Sequence, residues 1–85
     1  MIVNVSPKFE KSWQKLPERI KEKAKEREKA FKENPFNQSL KTHKLIGNNK
    51  EFWSFSVNYS YRIKLIFLSE KEVLFLDIGT HSIYR

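Results

Sequence analysis

The chain has 85 residues, enough for one small domain and a shallow site but not for two domains or an enclosed cavity. Lys and Arg number 17 and Asp and Glu number 10, and the resulting net charge of +7 favours polyanionic partners: nucleic acid, an acidic protein or anionic lipid. The absence of cysteine excludes disulfides, thiol catalysis and zinc sites built on cysteine. The hydrophobic content of 39% favours a folded domain over intrinsic disorder.

Targeting signals are not apparent in the sequence. No apolar segment approaches the ~18–20 residues that a membrane span needs. The apolar start at residues 1–5 is short and follows no basic region, so no secretory signal is expected. We therefore expect a cytoplasmic protein in which residues 1–85 form a single domain.

The first half of the chain predicts a strand followed by two helices. Residues 2–5 form the strand, and Ser6-Pro7 starts a helix because serine caps helices and proline is tolerated at the first helical position. Pro17 ends this helix and starts a second one over residues 18–33. The short link between them predicts an antiparallel helical hairpin.

The second half of the chain predicts four strands and a short tail. The strands cover residues 40–46, 52–58, 61–68 and 73–78, with turn-forming residues between them. Alternation in the middle two strands predicts an open sheet face with four polar side chains: Ser54, Ser56, Arg62 and Lys64. The order strand, helix, helix and four strands predicts an α+β domain, with the helices on one face of a mainly antiparallel sheet.

Few residues in this chain can carry chemistry. Two glycines rule out a Gly-rich phosphate loop, and no histidine or carboxylate spacing supports a metal site, so neither metal nor cofactor is expected. The remaining set of His43, His81 and Arg62 suits metal-free RNA cleavage. Histidine, with an ordinary pKa of ~6.5, can take the proton of a 2′-hydroxyl or protonate a leaving 5′-oxygen. Arginine can bind the charge that develops on the phosphate.

Each of these residues also has a structural interpretation, and composition alone leaves both interpretations open. His43 can be a surface residue of a strand, and His81 can hold down the tail. Arg62 can pair with an acid such as Asp77. Three aromatic residues of the strands are interpreted as core rather than as base-stacking surfaces: Trp53, Phe55 and Phe75.

Four segments, taken together and in this order, resemble the RelE/ParE toxin superfamily, and within it the YafQ/YoeB-like mRNA interferases of type II toxin–antitoxin systems. They are residues 40–47 (LKTHKLIG), 52–57 (FWSFSV), 61–63 (YRI) and 75–81 (FLDIGTH). The resemblance covers essentially the whole chain and implies a RelE-like fold of order β-α-α-β-β-β-β. Tyr61 and Val57 depart from it, because some YafQ-like members have an aspartate and a histidine there.

The resemblance also implies a function and its partners. It implies a toxin that cleaves mRNA in the ribosomal A site, a cognate acidic antitoxin, and operator DNA bound only through the toxin–antitoxin complex. His81 would be the general acid, Arg62 the contact to the scissile phosphate, and His43 a base or phosphate contact. The residues expected to bind RNA under this hypothesis are Lys41, Lys44, Lys50, Lys64, Tyr84 and Arg85.

Two other hypotheses stay open at this point. ParE-like members share the fold but bind DNA gyrase and cut no RNA, and a degenerate member would bind RNA or antitoxin without toxicity. The set of His43, Arg62 and His81 favours RNA cleavage, because a gyrase binder has no use for it.

Overall fold

The structure is a computed structural model that describes residues 1–46 and 51–84. Within these ranges the helices and strands are, in chain order, β1 (Ile2–Val5), α1 (Pro7–Gln14), α2 (Glu18–Glu33), β2 (His43–Lys44), β3 (Trp53–Ser56), β4 (Arg62–Ser69) and β5 (Glu72–Gly79). Short 3₁₀ helices precede β2, at Gln38–Leu40, and follow β5, at His81–Tyr84. We call the second of these the tail helix. The predicted α+β order is confirmed.

The strands form one five-stranded sheet in the order β1-β5-β4-β3-β2. β2, β3, β4 and β5 pair antiparallel along the sheet, as hairpin-connected strands do. β1 joins the outer edge of β5 in parallel, with Ile2 opposite Glu72. A parallel pair needs a long crossover, and the two helices lie within the crossover here. The prediction of a mainly antiparallel sheet is therefore confirmed.

The helices begin where the sequence places their caps. The Ser6 hydroxyl accepts a hydrogen bond from the Phe9 amide at 3.0 Å and donates one to the Leu76 carbonyl at 2.8 Å. The cap therefore also ties α1 to β5. Pro17 precedes α2, which runs over the predicted residues 18–33. Within the described residues, no helix combines the length and apolarity needed to cross a bilayer.

The core lies between the helices and one face of the sheet. Phe31 of α2 is fully buried; its ring stacks on Phe55 at 4.5 Å between centroids and meets Phe75 edge-on at 5.8 Å. Ile63 and Leu65 of β4 lie on the same face and are also buried. Phe55 and Phe75 are thus core residues as predicted, and Trp53 packs against this core while partly buried.

The first predicted strand of the second half, residues 40–46, is wrong in extent. Only His43–Lys44 forms a strand, because Gln38–Leu40 folds into a 3₁₀ helix. The side chain of Asn37 caps that helix by accepting from the backbone amide two residues on, at 2.9 Å. Lys41 then reverses the chain in the left-handed conformation, at φ 53° and ψ 38°.

Candidate active site

The sheet face away from the helices carries three of the predicted site residues: His43, Arg62 and Lys64. Residues that are partners across an antiparallel pair lie on the same face. His43 pairs with Ser54, which pairs with Lys64. One step along the sheet, Ser56 pairs with Arg62. We call this surface the site face.

Arg62 and His81 line one open pocket of about 460 Å³ at an end of the site face. Arg62 is the first residue of β4, and His81 is the first residue of the tail helix. Arg62 pairs with Gly79, only two residues before His81, so the sheet register itself brings the two side chains together. A fixed cation and an imidazole thus face the same space.

Two hydrogen bonds orient the Arg62 guanidinium. Its Nη1 donates to the Ser56 hydroxyl at 2.8 Å and to the Asn58 carbonyl at 3.1 Å. Within residues 1–46 and 51–84 both hydrogen bonds of this side chain use Nη1, which leaves the Nε and Nη2 donors for another acceptor. A phosphate, which offers several oxygens to a planar fork, is such an acceptor.

The alternative pairing of Arg62 with Asp77 is wrong. Asp77 is 6% exposed and accepts a hydrogen bond from the Ser12 hydroxyl of α1 at 2.6 Å. Its other oxygen lies 3.6 Å from the Lys8 ammonium. This carboxylate therefore fastens α1 to β5, and Arg62 does not depend on it.

The tail after β5 is an ordered helix rather than the short tail that the sequence predicts. Ile83 is 8% exposed and packs against Gly79, where an added Cβ would come within 2.7 Å of the Ile83 Cγ2. A glycine at this position therefore permits the close approach. The docked helix holds His81 at the pocket, with its ring edge-on to Tyr84 at 5.6 Å between centroids.

Ser54 was expected on an open face but is fully buried, because the tail helix folds back over it. Its hydroxyl lies 2.7 Å from the Tyr84 hydroxyl, and this hydrogen bond satisfies both groups. Tyr84 is thus partly buried, with its polar end tied to the sheet. Together with Ile83, this contact fixes the tail helix at two points.

His43 is exposed on β2 and does not line the pocket. Regular sheet spacing puts its Cα roughly 12 Å from that of Arg62, two strands across and two residues along. Its Nδ1 lies 2.8 Å from the Lys41 carbonyl, which can only accept, so Nδ1 carries the proton. Whenever this ring is neutral, Nε2 is then unprotonated, the form that a base needs.

The predicted RNA-binding lysines do not form one group. Lys64 lies on the site face with its ammonium 4.2 Å from the centre of the Phe52 ring. Lys44 pairs with Trp53 on the opposite face and forms a 2.8 Å salt bridge with Glu51. Lys41 is exposed near His43. Lys50 and Arg85 lie outside the described residues.

Three pocket residues went unrecognised as such in the sequence: Tyr59, Ser60 and Thr80. Sequence reasoning took Tyr59-Ser60 only as a hairpin tip. Their closeness along the chain to Arg62 and His81 is a signal that was available. No cluster of metal-ligating side chains occurs in the part of the chain that the structure describes.

Comparison with known proteins extends this description. No protein-family model matches the sequence, and no curated protein matches it significantly. Among solved structures, a YoeB/ParE toxin from Agrobacterium tumefaciens is similar, with a TM-score of 0.78 and 19% identity over 95% of this chain and 99% of that one. YafQ from E. coli gives a TM-score of 0.77 and 22% identity over 96% of this chain and 94% of that one.

A third similar structure is an archaeal RelE–RelB complex from Pyrococcus horikoshii, with a TM-score of 0.74 and 17% identity over 93% of this chain and 92% of that one. The identities are low, while the coverage is nearly complete in every case. The chain therefore has the fold of the RelE/ParE toxins, of which the YoeB and YafQ structures are examples.

Proposed function

We propose that this protein is the toxin of a type II toxin–antitoxin system and that it cleaves mRNA on the ribosome. The observation that carries this proposal is the shared pocket of Arg62 and His81. An arginine fixed by two hydrogen bonds and an exposed histidine beside it supply two of the groups that metal-free phosphodiester cleavage requires, a cation for the phosphate and a proton donor.

The proposed reaction is an internal transfer at phosphorus. The 2′-hydroxyl loses its proton and attacks the adjacent phosphorus, the bond to the 5′-oxygen breaks, and a 2′,3′-cyclic phosphate and a 5′-hydroxyl form. His81 donates the proton that the leaving 5′-oxygen takes. Arg62 binds the non-bridging oxygens as their negative charge increases in the transition state.

His43 is the proposed base or phosphate ligand. Its Nδ1 proton is engaged by the Lys41 carbonyl, so Nε2 is available to take a proton or, once protonated, to bind a phosphate. It acts from β2, across the site face from the pocket. A substrate that reaches both His43 and Arg62 would therefore pass over the tail helix, which covers Ser54 between them.

The proposed partners follow from charge and from the comparisons. A net charge of +7 suits the ribosome and mRNA, and it also suits an acidic antitoxin that neutralises the toxin. The archaeal RelE structure is a complex with RelB, which supports a protein partner of this kind here. Operator DNA would be bound through the toxin–antitoxin complex only. Contacts with phosphates make binding weaken steeply as salt increases.

The test is primer-extension mapping of cuts in an mRNA during translation. Wild type is compared with His81→Ala and Arg62→Ala, and Ser82→Ala is the matched control because Ser82 lies in the tail helix but not at the pocket. We expect cuts that need the ribosome from wild type and the control, and a loss of at least ~10²-fold in both pocket variants.

Two results would contradict the proposal. Full cleavage by a folded His81→Ala variant would exclude the role of His81 as the acid. A wild type that is toxic but makes no cuts would favour the gyrase-binding alternative, and a wild type with neither property would favour a degenerate binding domain.

A further inference from the structure

We propose that Tyr59 is a stacking platform for one nucleobase of the RNA substrate. This proposal rests on the proposed function and adds a residue that the acid–base chemistry does not need. Tyr59 lies at the tip of the hairpin between β3 and β4 and lines the pocket of Arg62 and His81. Its side chain would contact the base of a nucleotide whose phosphate is bound by Arg62.

The exposure of Tyr59 is the first observation. Its side chain is 94% exposed, although a tyrosine ring usually buries much of its apolar area. A single exposed aromatic residue needs no explanation by itself. Here, however, the exposed ring stands at the rim of the pocket that holds the arginine and the histidine.

The hairpin tip that presents Tyr59 is held in one conformation. The Asn58 side-chain oxygen accepts from the amides of Ser60 and Tyr61, at 2.9 and 2.8 Å. The Tyr61 carbonyl accepts from the amides of Val57 and Asn58, at 2.9 and 3.3 Å. The Asn58 side chain thus closes the turn around Tyr59, as asparagine does in tight turns. The backbone of the tip is therefore ordered before any base arrives, and only the rotamer freedom of the exposed ring is lost on stacking.

The same tip is bonded to the phosphate-binding arginine. Arg62 donates from Nη1 to the Asn58 carbonyl at 3.1 Å, one residue before Tyr59. The guanidinium and the backbone that carries the ring therefore keep a fixed relation to each other. A nucleotide with its phosphate at Arg62 would bring a neighbouring base over the ring. Since every base has a π-face, this contact tolerates any base.

Tyr84 is a poorer platform than Tyr59 in this protein. Its hydroxyl is bound to Ser54, and its ring packs edge-on with His81. It is partly buried, whereas Tyr59 is almost fully exposed. The assignment therefore separates two functions: Tyr84 holds the tail helix and Tyr59 contacts the base.

The experiment uses full-length protein and ribosomes programmed with a synthetic mRNA whose vacant A-site codon is the substrate. The variants are Tyr59→Phe, which keeps a ring, and Tyr59→Leu, which keeps apolar bulk without one. We expect Tyr59→Phe to cut like wild type and Tyr59→Leu to lose roughly 5- to 150-fold in kcat/KM, the range for one stacked base. Phe36→Leu is the control, because Phe36 is also exposed but lies outside the pocket.

An abasic nucleotide identifies the base that stacks. It replaces each of the codon's nucleotides in turn. At one position the kcat/KM of wild type should fall about as much as the Tyr59→Leu substitution lowers it on the intact codon. At that position Tyr59→Leu should lose nothing further, because the partner of the ring is already absent.

The outcomes separate this inference from the proposed function. If wild type cuts and Tyr59→Leu cuts equally well, the platform is refuted and the proposed function stands. If both substitutions lower kcat/KM and Tyr59→Phe is as impaired as Tyr59→Leu, the hydroxyl rather than the ring contributes to cleavage, and the platform is refuted as well. If wild type cuts no mRNA on the ribosome, the proposed function fails and this inference fails with it.

Discussion

Substituting Gly79 by alanine should release the tail helix without unfolding the sheet. The added Cβ would lie 2.7 Å from the Ile83 Cγ2, whereas carbon atoms in contact prefer about 3.5–4.0 Å. Ile83 is branched at Cβ and has little rotamer freedom, so the tail helix itself must move. Overpacking of this kind costs about 1–3 kcal/mol.

This cost can be compared with the free energy that holds the tail helix on the sheet. Burial of Ile83 stabilises the docked tail by about 1.5–3 kcal/mol, and the hydrogen bond between Ser54 and Tyr84 adds about 0.5–1.5 kcal/mol. The clash therefore removes a large share of the docking free energy, equivalent to roughly a 5- to 150-fold drop in the ratio of docked to undocked molecules. Stability of the remaining core should change less, because none of its helices or strands needs the tail in order to pack.

Hydrogen exchange followed by NMR measures the release directly. The Ile83 amide donates to the Thr80 carbonyl at 3.1 Å, and its exchange should accelerate in Gly79→Ala. The His81 ring signals should also shift, because the ring leaves Tyr84; with only two histidines, a His43→Gln variant assigns them. In an Ile83→Ala background, Gly79→Ala should have no further effect. Unchanged protection of the Ile83 amide in Gly79→Ala would refute the reasoning. So would a loss of protection at residue 83 that Gly79→Ala causes equally in the wild-type and Ile83→Ala backgrounds.

Four further substitutions test the packing. Phe31→Ala should lower the free energy of unfolding by about 3–5 kcal/mol in urea titrations, since the ring is fully buried among other aromatic rings; a loss below 1 kcal/mol would contradict its place in the core. Ser12→Ala should cost about 1–3 kcal/mol, because buried Asp77 loses its 2.6 Å hydrogen bond, and a neutral result would show that Lys8 and the Ile78 amide alone satisfy this carboxylate. Ser54→Ala and Tyr84→Phe remove the same hydrogen bond, so their effects should not add, and full additivity in a double-mutant cycle would argue against that contact.

Features with local causes could be predicted from the sequence. The start of α1 depends on Ser6-Pro7, and α2 begins directly after Pro17, so adjacent residues suffice to place both helices. Alternation correctly predicted the core face that carries Phe55 and Ile63, because a strand turns successive side chains to opposite sides. The meeting of Arg62 and His81 came from the family resemblance and not from the pattern of residues.

Features that depend on distant residues could not be predicted. Nothing near Ser54 shows that Tyr84, thirty residues later, will cover it, so the polar residue was placed on an open face. The 3₁₀ helix at Gln38–Leu40 was missed for a different reason. Leu40 was assigned to the start of a strand, but the cap at Asn37 and the burial of Leu40 in the core favour the 3₁₀ helix.

The parallel pairing of β1 with β5 determines when this chain can fold. Ile2 meets Glu72, so the first strand has no partner in the sheet until some seventy residues have been synthesised. Until then Phe9 and Phe31 have no β5 ring to pack against. Closing so long a loop is slow, which gives nascent chains time to aggregate. A chain interrupted before β5 would therefore be a target for chaperones and proteases instead of a partly working protein.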